Sequence, residues 1–522
     1  MGIKISNLPS ATLPLTGSEL VPVVQSGVTA KAQIFDLLAG SNGSASVGFL
    51  QSGTGATSRT VQAKERDIVS VKDFGATGDG TTDDTAAIQA AITATPIGAV
   101  LLFPKATYKI SGVSVTGKAI TLFGYGATIN CTGGTGAIQK TDHGNKLIVK
   151  GISFTGSGSG IYHSVAPSTT VYDELLIEDC AFDMASGAYS IYSIGSREPV
   201  FIKNTFNNTN NANGIYFSQS VSPFVNLCLF RGTTSSGTAV NYPGTGTGYD
   251  AGLVLRDCEI MGWATGVNTV GLDWLCIQGC TIDYNTQSIK IAAQDGANIS
   301  NNYIGSVGAN AALWLTYNAG AAAPTYCDKI IIENNTFTGH YTGGNTYDCI
   351  LIDGTVSPDS IQIKNNNIHF YTRYGINVTM TNTRLNVSGN SFGQRSGFGV
   401  APVYNTLGAS DSGFVIKDNY FSNATTISAM NISSACTFFS DNIGCSVKTK
   451  GQVTIGVGAF TTTFSHGLAY TPNNYDVQLT SMNTPAAIAV PYVSTVTSTQ
   501  ITINTNAVVA GSTAGIGYLV QR

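Results

Sequence analysis

Five carboxylates in this 522-residue chain stand where no pattern in their surroundings explains them: Asp250, Glu259, Asp283, Asp348 and Asp353. Carboxylates working in pairs can break a glycosidic bond, one protonating the leaving oxygen while the other serves as base or nucleophile. The two lie about 5–5.5 Å apart in retaining enzymes and roughly 6.5–9.5 Å apart in inverting ones. Glu259, Asp283 and Asp250 form the preferred acid/base group, with Asp353 and Asp348 second. For any one of them singly, an exposed solvating acid is the bland alternative. Other chemistries have less support. The histidines are His143, His163, His340, His369 and His466, and none has a convincing Ser or Cys partner in sequence, so a nucleophilic triad is poorly supported. The Gly-rich "GDGTTDD" lacks the Lys of a phosphate loop, and no zinc spacing occurs among the ten Cys, so no cofactor or metal is expected. The cysteines read as buried, reduced thiols.

Holding two acids at such separations requires elements that repeat in space, and the chain contains a repeat. "IIENNTF" (331–337) recurs in shape as "VLRDCEI" (254–260), "CIQGCTI" (276–282), "QIKNNNI" (362–368) and "VIKDNYF" (415–421). Its apolar opening falls at Val149, Ile177, Val225, Leu255, Ile277, Ile299, Ile332, Ile363, Val387 and Ile416, with a copy one residue short at Ile202 and a degenerate one at Phe439. Variable gaps between repeats signal a solenoid whose loops absorb the length differences. Two residues after the opening stand Asp179, Asp257, Gly279, Asn301, Asn334, Asn365, Gly389 and Asp418, types that tolerate a left-handed bend. One residue further, Cys180, Cys228, Cys258 and Cys280 give way to Asn302, Asn335, Asn366, Asn390 and Asn419. Strand, one-residue corner, strand describes a rung of a right-handed, single-stranded parallel β-helix. Rungs about 4.8 Å apart would stack the Asn into a hydrogen-bonded column.

Each rung carries another strand: "SIYSI", "GIYFS", "GVNTV", "SIKIA", "ALWLT", "CILID" and "GINVT". Alternation turns Tyr192, Tyr216, Asn268, Lys290, Trp314, Leu351 and Asn377 outward. Tyr192, Tyr216, Lys290 and Trp314 are the candidate substrate-binding residues, an exposed aromatic platform for sugar rings unless loops or a neighbouring subunit cover them. Asp173, Asp273, Asp295, Asp328 and Asp359 recur four residues before a rung start, a regularity that fits turn capping rather than catalysis.

Composition agrees with an all-β chain: Gly reaches 60 residues and only 11% of the chain is charged. A net charge of −4 without a basic stripe argues against nucleic acid. No apolar run is long enough for membrane insertion, and no signal peptide is recognisable.

"VKDFGATGDGTTDDTAAIQAAI" (71–92) followed by "VLLFPKATYKI" (100–110) resembles the pectate-lyase-like segment that opens the β-helix of many bacteriophage tailspikes, with Ala106 where that motif usually has Gly. In that family the segment is a structural cap, so Asp73, Asp79, Asp83 and Asp84 are not expected to be catalytic. Within it, Thr82 or Asp83 can cap a helix whose stripe is Ala87, Ile88, Ala91 and Ile92. Residues 5–37 resemble the short module that docks tail proteins on the virion. The resemblance implies a virion-attachment module at 1–40, a flexible Gly/Ser linker at 41–66, the β-helix at 67–447 with its cap at 67–110, and a small antiparallel β-domain at 448–522 for trimerisation or carbohydrate binding. It further implies a homotrimeric phage tailspike, assembled in the bacterial cytoplasm and carried on the phage tail, that binds and depolymerises a bacterial surface polysaccharide at the host surface. Hydrolysis by paired carboxylates is preferred. A lyase comes second, with Lys290 or Tyr216 as base, and a non-catalytic receptor-binding spike stands as the reading from another class.

Overall fold

The structure is a computed structural model describing residues 20–33, 43–168, 170–172, 175–233, 236–245, 249–292, 295–308, 311–317, 329–339, 347–355, 360–380, 384–393, 401–405, 413–422, 436–443, 448–455, 459, 461–465, 472–482, 490–506, 509 and 514–521. The chain divides into two compact units, Met1–Ser70 and Val71–Arg522.

In the first unit, Leu20–Gln25 and Val28–Gln33 pair as an antiparallel hairpin. Its two-residue turn has Ser26 at φ +52° and Gly27 at φ +81°, the left-handed pair that matches strand twist. The stretch read as a linker holds local structure: Gly48–Phe49 pairs with Arg59–Thr60, and Thr60 caps a short helix, Val61–Glu65, by accepting from Ala63 N at 3.0 Å.

The second unit is a parallel β-helix in which each rung contributes three strands. The Leu255 rung shows the construction. Leu253–Arg256 forms the first face, Asp257 turns the chain with φ +51°, Glu259–Met261 forms the second face, and Thr265–Val270 the third. Parallel register stacks each face on its counterparts, and the third is a 12-stranded sheet running from Val113–Ser114 to Ala401–Asn405.

The repeat aligns as its columns predict, with two corrections. Phe201, not Ile202, pairs with Ile177 below and Val225 above, so that copy is complete. Its second position is an outward Ile where a polar residue is usual, and this hid the alignment. Phe439 likewise pairs with Ile416 and is followed by Asp441 at φ +55° and by Asn442, so the last copy is regular through its bend. The bend position is left-handed even where its residue is Lys203 or Leu227, with φ +55° and +53°. There the packed rung overrides a backbone preference against long side chains.

Next to the bend runs the amide column. Asn335 Oδ1 accepts from Asn302 N at 3.0 Å and Asn302 Nδ2 at 2.9 Å, while Asn335 Nδ2 donates to Ile299 O at 2.7 Å and Asn366 Oδ1 at 3.0 Å. The same exchange continues through Asn390, Asn419 and Asn442. Where Cys replaces Asn, the thiol partly substitutes for the amide, and Cys258 N donates to Cys280 Sγ at 3.5 Å. Burial pushes the Cys180 thiol up to about 12, and Cys131, Cys180, Cys228, Cys258, Cys276, Cys280 and Cys349 are free. Two residues beyond the column, Phe154, Phe182, Phe206 and Phe230 stack inside the coil at 5.1, 5.1 and 4.5 Å between centroids.

The helix in the segment likened to a cap runs Thr85–Ala94, later than expected, with Asp84 at its N-cap position. The Asp84 carboxylate does not bond the helix end but accepts from Thr77 N and Gly78 N at 2.7 and 3.0 Å, tying the preceding turn. Asp79 likewise takes up Thr81 N and Thr82 N at 2.8 and 2.7 Å, and the bonds from Thr82 hold its carboxyl far below the usual range. Ile88, Ala91 and Ile92 are buried, and Gln89 exchanges two hydrogen bonds with the backbone of Ser114. Ala106 is accommodated because it faces Gly78, where any Cβ would come within 2.6 Å of it.

After the last rung, two three-stranded antiparallel sheets follow. One joins Lys448–Ile455, Ala514–Gln521 and Val477–Ser481, the other Thr461–Ser465, Gln500–Thr505 and Pro491–Val496. Ile455, Ile501, Ile503, Ile516 and Val520 are buried there.

Candidate functional site: the outer file of the third face

On the third face, inward positions are taken by Ile161, Ile191, Ile215, Val240, Val267, Ile289, Leu313 and Ile350, one above another. The pleat therefore turns the next residue of every strand to the outer side, where all but the buried Asn377 are part-exposed. Tyr162, Tyr192, Tyr216, Asn241, Asn268, Lys290, Trp314, Leu351 and Asn377 form one continuous outer file, in register. The sequence reading reached all of these but Tyr162 and Asn241. Tyr162 was legible, since "GIYHS" (160–164) nearly duplicates "GIYFS" (214–218). Asn241 was hidden in residues 232–250, which read as an insertion but contain an ordinary third-face strand, Thr238–Pro243.

The file is a connected surface. Tyr162, Tyr192 and Tyr216 stack at 5.3 and 4.7 Å between centroids with planes within 6° of parallel, and Tyr189 leans on Tyr216 at 5.1 Å. Because the rings turn their faces to one another, they offer solvent their edges and hydroxyls rather than the open faces expected of a stacking platform. Burial pushes the Tyr192 and Tyr216 phenols up, so they remain protonated donors at neutral pH. Asn241 Nδ2 donates to Tyr189 Oη at 3.2 Å, and Asn268 Nδ2 to Asn241 Oδ1 at 2.8 Å. The Lys290 ammonium lies 4.6 Å from the centroid of the Trp314 ring, and Trp314 Nε1 donates to Asp353 Oδ1 at 2.9 Å. At the tyrosine end opens a cleft of about 600 Å³, lined by Tyr162, Tyr189 and Tyr192 and by corner residues 134–135, 157–159 and 186–188. A cleft of this size accommodates a small-molecule-sized group.

The five candidate acids are not brought together. Glu259 and Asp283 share the second face, where Glu259 pairs with Thr281 and Asp283 with Met261. One rung of about 4.8 Å and two residues of strand set their Cα atoms roughly 8 Å apart. Glu259 is 40% exposed with Arg231 Nε 3.8 Å away, whereas Asp283 is only 4% exposed and bonds Tyr284 N at 2.7 Å. Asp250 lies beyond the first face from both. It is a loop brace, accepting from Gln219 N and Thr245 N at 2.6 Å each and from Thr245 Oγ1 at 2.8 Å. Asp348 is fully buried and saturated by Arg373 Nε and Nη2 at 2.8 and 2.5 Å, Tyr374 N at 3.1 Å and Asn377 Nδ2 at 2.8 Å. Asp353 borders the outer file through Trp314 and is part-exposed, whereas Asp348 adjoins the file at Asn377 but is buried. Of the acids at the fixed offset before each rung, Asp273 is raised by desolvation and then by Asp295 and Asp250, while Asp173, Asp328 and Asp359 lie outside the described residues, as do His340 and His466. Among the described residues no three His, Cys, Asp or Glu side chains gather to hold a metal ion, and no helix is long and apolar enough to cross a membrane.

A coil of three parallel faces with an amide column at one bend is a parallel β-helix, and comparison with known proteins agrees. Residues 68–290 match the family described as rhamnogalacturonase A/epimerase, pectate lyase-like. No curated protein sequence matches the chain. Among solved structures, tailspike gp61 of Pseudomonas phage phi297 is similar at a TM-score of 0.51 and 11% identity, over 87% of this chain and 99% of that one. Tailspike protein 3 of bacteriophage CBA120 is similar at 0.57 and 14%, over 80% of this chain and 70% of that one. The chain thus shares the parallel β-helix fold of these tailspikes.

Proposed function

We propose that this protein is a homotrimeric phage tailspike that binds a bacterial surface polysaccharide along its third face and depolymerises it. The outer file carries the reading: hydroxyl, amide and cation groups follow one another from Tyr162 to Lys290 at a rung spacing of about 4.8 Å that is close to the length of one sugar unit. A glycan lying along that part of the coil axis meets a polar group with each residue, and the tyrosine cleft supplies a subsite at one end. The tailspike neighbours and the family's polysaccharide-directed name support the same reading.

Cleavage is assigned first to hydrolysis with Asp353, which borders the groove, as the leading acid. Glu259 and Asp283 stand second. Their Cα separation suits an inverting pair, but a polymer on the third face lies around a corner from them. Elimination by Lys290 is the alternative chemistry, and Tyr216 is the less available base because burial raises its phenol and keeps it protonated.

Incubating the protein with its host's surface polysaccharide tests the reading. New reducing ends without an unsaturated-sugar absorbance identify a hydrolase, that absorbance identifies a lyase, and binding without shortening identifies a receptor-binding spike. Asp353→Asn, whose amide can still accept from Trp314, should lower the cleavage rate by at least about a hundredfold and leave binding intact. Full activity in that variant with loss in Glu259→Gln or Asp283→Asn would move the active site to the second face.

A further inference from the structure

The hydrogen bonds between Asn268, Asn241 and Tyr189 run in one direction. Asn268 Nδ2 donates to Asn241 Oδ1 at 2.8 Å, and Asn241 Nδ2 donates to Tyr189 Oη at 3.2 Å. Because an amide N–H already points at the phenol oxygen, the proton of that phenol is directed away from Asn241. Among the described residues no acceptor takes it. Tyr189 lines the cleft of about 600 Å³, so its donor is left for an occupant. The rings beside it favour the same kind of occupant. Tyr162 and Tyr192 stack with parallel planes at 5.3 Å, which turns ring edges rather than faces to the cleft they line. A ring edge carries the positive end of the aromatic quadrupole and attracts an electron-rich oxygen. The rest of the described lining is small and uncharged: serine and threonine hydroxyls, the Ala188 methyl, and Gly134 and Gly187, where an added Cβ would meet nothing within 4 Å.

We infer that the cleft reads an acyl carbonyl on an uncharged sugar, the group shared by acetamido sugars and O-acetyl esters. This rests on the third face being the glycan groove. A carbonyl oxygen accepts the Tyr189 proton and has none of its own to place, whereas a sugar hydroxyl must also find an acceptor. The acyl methyl has Ala188 and the bare corner glycines to rest on, an uncharged surface on which burying apolar area is favourable. A carboxylate is the wrong ligand here, because no cation in the described lining offsets its desolvation.

Binding of the full chain would be measured for two matched pairs. Chitotetraose beside cellotetraose exchanges an acetamido group for a hydroxyl, and O-acetylated glucomannan beside its alkali-deacetylated form exchanges an ester for a hydroxyl. We expect the acetylated member of at least one pair to bind about tenfold or more tighter, the first pair identifying an amide and the second an ester. Tyr189→Phe keeps the ring and should bring the acetylated member down to its partner's affinity. Asn241→Asp supplies an acceptor that captures the phenol proton, and should do the same. No preference in either pair, failure of all four ligands to bind, or a preference that survives either variant overturns the inference. The glycan groove fails separately if Lys290→Ala and Trp314→Ala, both outside the cleft, leave binding of the host's surface polysaccharide unchanged.

Discussion

His163 is enclosed at 0% exposure, and chiefly through burial its pKa falls from 6.5 to about 3. An unfolded chain takes up that proton near 6.5, and the folded one only near 3, so the stability this residue carries is complete above 6.5 and declines as pH falls through that window. The loss amounts to on the order of 5 kcal/mol at its lower end. Melting temperature measured between about pH 7 and about pH 4 should therefore slope downward with acid, and His163→Gln should flatten part of that slope. An unchanged slope in the variant would place the acid sensitivity elsewhere. Single residues also show how burial divides the candidate acids: Asp250 accepts from two backbone N–H groups and a hydroxyl, and Asp348 from the Arg373 guanidinium, a backbone N–H and the Asn377 amide, contacts that suit bracing.

At the scale of one element, the amide column makes the coil cooperative across rungs. Asn335 serves the rung below through its oxygen and reaches Ile299 O and Asn366 through its nitrogen. Asn335→Ala strands those buried partners and should cost about 2–4 kcal/mol in denaturant unfolding. Asn335→Cys should cost roughly half as much, because Cys280 already accepts a backbone N–H in the same column. Equal losses in the two variants would show that the thiol contributes packing alone. The bend position teaches a complementary lesson. Asp, Asn and Gly there announce the left-handed turn, yet Lys203 and Leu227 adopt it with no such signal, because neighbouring rungs have already set the path of the chain.

For the whole molecule, the first face bears on assembly. Ile148, Leu176, Val200, Phe224, Val254 and Cys276 form an apolar file on its outer side, pairing rung upon rung. All six are part-exposed, a contiguous apolar strip that a lone chain would leave in water. A neighbouring copy covering it is part of the trimer proposed above. Phe224→Asp combined with Val254→Asp should convert a three-chain particle into single chains in sedimentation velocity, and a variant that keeps the wild-type mass would remove this face from the interface. The C-terminal sheets, with Tyr492 exposed on a strand and Tyr475 exposed on the turn Asn474–Asp476, offer another surface for contact between copies.

Sequence by itself determined the coil. A strand's period of two and a bend residue recurring at a fixed place are local properties, so they showed the rungs, the amide column and the outer side of the third face, although Asn377 on that side is buried by its bond to Asp348. What sequence could not carry was anything that depends on which rung lies over which corner. Only packing between rungs decided that Phe201 opens a complete copy, that residues 238–243 are a strand, and that the tyrosine rings cover one another's faces. The same holds for the acids. Glu259, Asp283, Asp250, Asp348 and Asp353 look alike as letters, and burial and through-space partners, which belong to the assembled coil, separate a part-exposed carboxylate beside the outer file from a brace and an ion pair.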